Sequence, residues 1–323
     1  MEEDIVCTGF FRPATEDSIS CLDKFEMGGG LQYFFGNLLE APFNLIYAII
    51  HWQSWLDWSD NESLTRFIYY GASAELFFVL LLIFLVVTAI GLWRNSFMWG
   101  CVRVLEGFAN GIGRFFAWAG LLMVLQQTII IFMQRVFAAS EISLGFGLNF
   151  TKDVSWWSEE LKLYNAMIVC LCASYTFVQG GQVRVDLIYA NLSYRTKRAF
   201  DMFGAMVFMV PAAVITYIYG WFFLWRHLVV PNPSASDTLD RLLAKSRALR
   251  WNVETIGFSP NGFNAYFLFK VLLVVFTLMV MLQAISCFYR AYLERKEGEA
   301  SEDKYLDKDT LGDPVADLVA DIH

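Results

Sequence analysis

Leu76-Phe77-Phe78-Val79-Leu80-Leu81-Leu82-Ile83-Phe84-Leu85-Val86-Val87-Thr88-Ala89-Ile90 is an unbroken run of fifteen residues with no charge and one hydroxyl. It sits inside a longer apolar segment, Tyr70 to Trp93. A bilayer core is crossed by about 20 predominantly apolar residues in a helix. Within hydrocarbon every backbone N–H and C=O must be paired inside the segment, so such a run crosses as a helix. The segment predicts a transmembrane helix.

Four further segments meet the same criterion: Phe115 to Phe137, Leu161 to Val178, Phe200 to Trp225 and Phe263 to Phe288. A sixth, Leu38 to Leu56, contains Glu40, Pro42, Asn44 and His51, and either crosses or lies in the interface. The fold class expected is all-α: an integral membrane helical bundle with about six transmembrane helices. Composition agrees. The 323-residue chain is 57% hydrophobic and 17% charged, with a mean hydropathy of +0.45; soluble domains carry about 25% charged residues. Tryptophans gather at the ends of the runs (Trp52, Trp55, Trp93, Trp99, Trp156, Trp157, Trp221, Trp225, Trp251), as interfacial belts do. The net charge of −8, concentrated in acidic tails, excludes a nucleic-acid partner. Met1-Glu2-Glu3-Asp4 lacks the basic start of a cleavable signal.

Lysine and arginine mark the cytoplasmic side of a membrane protein. Arg94, Arg103 and Arg114 lie in one expected connection, Arg184, Arg195, Lys197 and Arg198 in another, and Arg290, Arg295 and Lys296 after the last span. With alternating crossings all three fall on one side, so the C-terminus is expected inside, and with six crossings the N-terminus also. The connection from Arg226 to Pro260 disagrees, since it is basic yet falls outside. It holds an expected surface helix, Ser236 to Leu249, with leucines at near-helical spacing and Ser236 or Asp237 to cap it.

Charges within hydrocarbon are costly and become functional candidates. Glu75 and Lys270 both enter their spans from the expected outer side, and either pair across the bundle or snorkel separately. Gln126, Gln127, Asn165 and Gln283 are mid-span amides suited to interhelical hydrogen bonds. Ala166, Cys170, Ala173 and Ser174 form a small-residue stripe that permits close helix approach. Pro211 predicts a kink. The six cysteines show no disulfide framework. His51, His227 and His323 are not paired for haem, and no Walker loop, GxSxG or HExxH occurs. No catalytic residue, metal site or cofactor is expected, and the chain is not read as an enzyme.

Four motifs carry a resemblance: Gln134-Arg135-Val136-Phe137 at a helix end, Trp156-Trp157-Ser158-Glu159-Glu160-Leu161 at a helix start, the turn Gly180-Gly181-Gln182-Val183-Arg184-Val185-Asp186-Leu187, and Leu282-Gln283-Ala284 in the last span. In order and spacing they resemble the small membrane subunit of TRAP transporters, the DctQ-like family. Gln182 departs from it, standing where the family often has histidine. Glu159 and Glu160 meet the positive end of a helix dipole, on the side of Arg135, so an ion pair is open to them. Arg184 and Asp186 either fix their turn or grip a partner.

The resemblance covers a four-helix membrane domain (114–292, with an external loop at 226–262), while hydropathy and charge set around it a cytoplasmic tail (1–37), an N-terminal extension with one or two membrane helices (38–113) and an acidic cytoplasmic tail (293–323). It implies a small permease subunit in a bacterial inner membrane, flanking a large membrane subunit that imports organic anions by symport. A periplasmic substrate-binding protein would deliver the substrate. Arg135, Trp156, Glu159, Glu160, Arg184, Asp186 and Gln283 would be its interface or motif residues. Two other classes stay open at this point: a membrane anchor of a redox enzyme, and a free-standing channel or lipid-interacting protein.

Overall fold

A computed structural model describes residues 30–144, 150–180, 192–251 and 262–307. Among the described residues six helices are long and apolar enough to cross a membrane: Gly30–Ile50 (α1), Ala74–Trp93 (α4), Asn95–Arg135 (α5), Val154–Val178 (α6), Tyr194–Trp225, and Phe267–Glu297 (α10). Shorter helices are Gln53–Leu56 (α2), Asn61–Tyr70 (α3) and Leu239–Lys245 (α9). The span Tyr194–Trp225 consists of α7 (Tyr194–Gly204), a π-helical turn at Ala205–Met209, and α8 (Val210–Trp225). A two-stranded antiparallel hairpin, β1 (Glu141–Leu144) with β2 (Phe150–Asp153), links α5 to α6. The architecture is an all-α membrane bundle.

The chain divides into two compact units, 1–94 with 217–254 and 95–216 with 255–323. In the first, α1 packs on α4 through Ala41, Phe78 and Val79. Asp60 caps α3 by accepting from the Ser63 N–H at 3.1 Å. The Trp221 indole N–H donates to the Ile68 carbonyl at 2.8 Å and the Tyr217 hydroxyl to that of Gly71 at 2.9 Å. A Cβ on Gly71 would lie 2.1 Å from the Trp221 ring, so only glycine admits this contact. Trp55, Trp58, Phe67, Trp221 and Trp225 form one aromatic cluster around it.

In the second unit α5, α6, α7 and α10 pack together. A Cβ on Gly113 of α5 would lie 2.2 Å from the Tyr175 Cβ of α6, and the Cys172 thiol reaches the Gly113 carbonyl at 3.4 Å. The two backbones therefore approach as closely as small residues permit. The small-residue stripe expected on α6 misplaces this contact by rotation: Cys172 and Ser174 are buried, Ala166 and Cys170 only partly.

Several expected boundaries shift. The first span starts at Gly30, inside the expected 1–37 tail, and ends at Ile50, with α2 separate; Pro42 is accommodated within it. The second starts at Ala74, because Tyr70 closes α3 and Ser73 caps α4. The stretch from Arg94 to Arg114 is not a connection. It is the first half of the 41-residue helix α5. Its buried residues Met98, Trp99, Val102, Glu106, Ala109, Asn110 and Gly113 recur at helical spacing. The surface helix shrinks to Leu239–Lys245, since Ser234 and Asp237 form their own turn (Ser234 N–H to Asp237, 3.0 Å) and leave Thr238 at the N-cap position. Its Leu242 is fully buried and the helix packs on α3. At the expected kink, the π turn precedes Pro211: the Val210 N–H reaches back to the Ala205 carbonyl. This local rewinding accommodates the proline's missing donor.

Candidate functional site

The charged residues of the second unit gather where α5 begins and α10 ends. Arg290 on α10 donates from Nε and Nη2 to the two carboxylate oxygens of Glu106 on α5, at 2.7 and 2.6 Å. Such a parallel fork is the strongest form of arginine–carboxylate contact. The Ser286 hydroxyl adds a 3.4 Å bond to the same carboxylate. Glu294, one turn beyond Arg290 and 2% exposed, lies between two guanidiniums: Arg290 Nη1 at 3.4 Å and Arg198 Nε of α7 at 2.8 Å. Arg198 continues to Asp201 at 3.3 Å and to Glu302 at 2.7 Å. Buried charges persist when paired with opposite ones, and this chain of contacts sets each against another, although the Arg198 Nε lies at ion-pair distance from Glu294 without forming a hydrogen bond.

After α10 the polypeptide turns back on itself. Gly298 adopts φ +92°, a region glycine enters without steric cost. The returning strap, residues 299–307, is fastened at each step. Glu302 meets Arg198, and Lys304 pairs with Glu297 at 3.3 Å. The Tyr305 ring sits edge-on to Trp99 at 5.7 Å, and Leu306 packs against Ala109, Val178 and Met279. Asp307 receives both terminal nitrogens of Arg114 at 2.9 and 3.0 Å. Its backbone carbonyl accepts from Asn110 and Gln179 at 2.8 and 3.0 Å. The Arg114 and Asn110 bonds hold the Asp307 carboxyl below the usual aspartate range. The expected 293–323 tail is thus partly structured, with helix to Glu297 and a strap to Asp307.

At the opposite end of α5 and α6 the motif residues separate. Glu160 accepts from the Gln126 amide, and Glu159 accepts from the Phe263 N–H at 2.8 Å. Trp156 stacks obliquely on Phe263 at 5.2 Å and lies under the Lys152 ammonium. Arg135 ends α5 fully in the open and makes no ion pair among the described residues. Gln283 is buried in α10, its amide 3.5 Å from the Cys287 sulfur one turn on. Arg184 and Asp186 lie outside the described residues. Glu75 and Lys270 belong to different units, and each stands in the first turn of its helix rather than deep in a span. Lys270 is 1% exposed, with its ammonium 5.5 Å from the Tyr266 ring centre.

Sequence reading missed the ion chain because it treated Arg94 to Arg114 as a solvated connection. One signal was present: Glu106 shares its helical face with Val102, Ala109 and Asn110, so a helix there turns the carboxylate inward.

Spans and site together define a multi-pass, all-α membrane protein whose second unit is closed at one end by ion pairs. Residues 146–240 match the family model of the DctQ component of tripartite ATP-independent periplasmic transporters, and over that stretch the chain is DctQ-like. This is a family of transporter components, not of enzymes. The match contains the Trp156–Leu161 and Gly180–Leu187 motifs; Gln134–Phe137 and Leu282–Ala284 lie beyond it. No curated protein and no solved structure matches the chain.

Proposed function

We propose that the chain is the small transmembrane subunit of a TRAP-type secondary transporter of the bacterial inner membrane. In this reading it scaffolds a large membrane subunit that imports organic anions on an ion gradient, delivered by a periplasmic binding protein. The match over residues 146–240 carries the reading. The second unit's construction supports it: a partner that moves needs a neighbour that does not, and cross-linked helix ends with glycine-close packing resist deformation.

Six crossings leave both termini on the cytoplasmic side. The ion chain of Glu106, Arg198, Arg290 and Glu294 then lies inside, and the end carrying Arg135, Trp156, Glu159 and Glu160 outside. Glu159 and Glu160 are engaged within the chain, so they shape the surface that Arg135 offers to a partner. Gln283 serves α10 packing, and Arg184 and Asp186 are assigned to the partner interface on their motif alone. Glu75 and Lys270 are kept as outer-side charges at two helix starts.

Co-expression of the tagged chain with a candidate large membrane subunit tests the proposal. The two should purify as one complex, and deletion of this chain should abolish uptake. A chain that purifies alone, with uptake intact in its absence, removes the reading.

A further inference from the structure

Beside the ion chain, α5 and the strap enclose an open pocket of about 220 Å³. It is lined by Asn95, Ser96, Trp99 and Arg103 of α5, Glu297 of α10, and Lys304 and Tyr305 of the strap. Two cations, Arg103 and Lys304, and one carboxylate, Glu297, line it. Lys304 is balanced by Glu297, whereas Arg103 lies over the Tyr305 ring at 5.2 Å with no ion pair among the described residues. Lys296 reaches the rim at Asn95, 2.7 Å away. The positive end of the α5 dipole adds to this field.

The outer face of α5 continues the pocket. Gly100, Gly107 and Gly111 share a helical face with Arg103, and nothing lies within 4 Å of where their Cβ atoms would be. Next to this bare strip Phe97, Val104 and Phe108 are exposed, Val104 at 71%. The pocket thus adjoins a bare glycine face of α5 flanked by exposed apolar side chains. Arg290, two residues past the apolar segment Phe263 to Phe288, pairs with Glu106, so the turns of α5 just before Glu106 leave the hydrocarbon for the headgroup layer.

We infer that this pocket binds the phosphodiester of an anionic phospholipid, with Arg103 and Lys304 on the phosphate, Trp99 and Tyr305 at headgroup depth, and one acyl chain along the glycine strip. Arginine suits this role because its planar fork matches phosphate oxygens, and basic pockets at the inner face of helical membrane proteins favour anionic headgroups. The inference rests on the membrane topology proposed above but not on the transporter assignment. Since Lys304 and Tyr305 belong to the strap, bound lipid would also hold the strap closed.

The test uses the full-length chain, purified and delipidated in detergent. Lipid retention is read by native mass spectrometry with phosphatidylglycerol and with phosphatidylcholine, and thermal stability is read alongside. Phosphatidylglycerol should be preferred by about fivefold for each contributing cation. Arg103→Gln should remove the Arg103 share with only a small drop in the lipid-free melting temperature, because Arg103 makes no ion pair among the described residues and loses only its contact with the Tyr305 ring; Arg103→Lys should restore part of it. Lys304→Gln should remove a second share. Equal retention of the two lipids, or selectivity unchanged in Arg103→Gln, overturns the inference. Inorganic phosphate in excess forms the other arm: stabilisation by phosphate that matches the lipid's and vanishes in Arg103→Gln overturns the lipid as occupant in favour of the free anion. None of these readouts depends on uptake or on a partner subunit, so their failure is distinct from failure of the proposed function.

Discussion

Arg290 and Glu106, 184 positions apart in sequence, face each other through two parallel hydrogen bonds of 2.7 and 2.6 Å, with side chains 13% and 5% exposed. Losing one partner of such a pair strands the other charge, which costs about 3–5 kcal/mol, whereas replacing both by apolar groups of similar volume is often neutral. Glu106→Leu and Arg290→Met should each lower the melting temperature of the purified chain sharply, and the double variant should lose clearly less than the sum of the two, short of full recovery because Arg290 also faces Glu294. Strictly additive losses would remove the pairing as the cause.

Gly113 and Gly71 should tolerate no side chain, for the same reason in different units. A methyl at Gly113 collides with Tyr175 and one at Gly71 with Trp221. Gly113→Ala and Gly71→Ala should each cost about 1–3 kcal/mol through overpacking. Gly204→Ala, where nothing lies within 4 Å, should be neutral or slightly stabilising. Equal behaviour of the three variants in thermal unfolding would contradict the close approaches.

The strap should loosen in acid. Asp307 is held below the usual aspartate range first by its bonds to Arg114, then by Asn110. A depressed carboxylate contributes above its unfolded pKa of about 3.9 and loses that contribution as pH falls through the folded value. Tryptophan fluorescence at Trp99, which packs on Tyr305, should report a transition below pH 4 that Asp307→Asn abolishes. A profile unchanged by the substitution would exclude Asp307 as its origin.

Arg135 should matter to assembly and not to folding. It is exposed at the end of α5, so Arg135→Glu should leave the melting temperature of the isolated chain within about 0.5 kcal/mol equivalent while weakening co-purification with the large subunit. Charge reversal at Arg184 should act in the same direction. Complexes of normal yield from both variants would take these residues out of the interface.

The spans were legible in sequence because their signal is local. A run such as Leu76–Ile90 has one low-energy solution in lipid, and no distant residue is needed to read it. Boundaries were less legible because they depend on caps and turns: Ser73 rather than Tyr70 opens α4, and that alone moves Glu75 into the first turn. Glu159 and Glu160 were expected at a helix start, but α6 begins at Val154 and carries no acidic residue in its first turn; Gln126 was legible as an interhelical amide, whereas its partner Glu160 and the Phe263 N–H that meets Glu159 were not, since spacing does not mark them.

By itself the sequence determined an all-α membrane protein, the rough position of each crossing, and the motifs of a DctQ-like stretch, because hydrocarbon length and periodicity are written residue by residue. Only the tertiary structure decided that Arg94 to Arg114 is a buried-faced helix, that Glu106 meets Arg290, and that the tail returns as a strap to Asp307. A charge in a short polar stretch reads the same whether water or a guanidinium from a distant helix solvates it. The partner that makes the difference is brought there by the packing of the other helices.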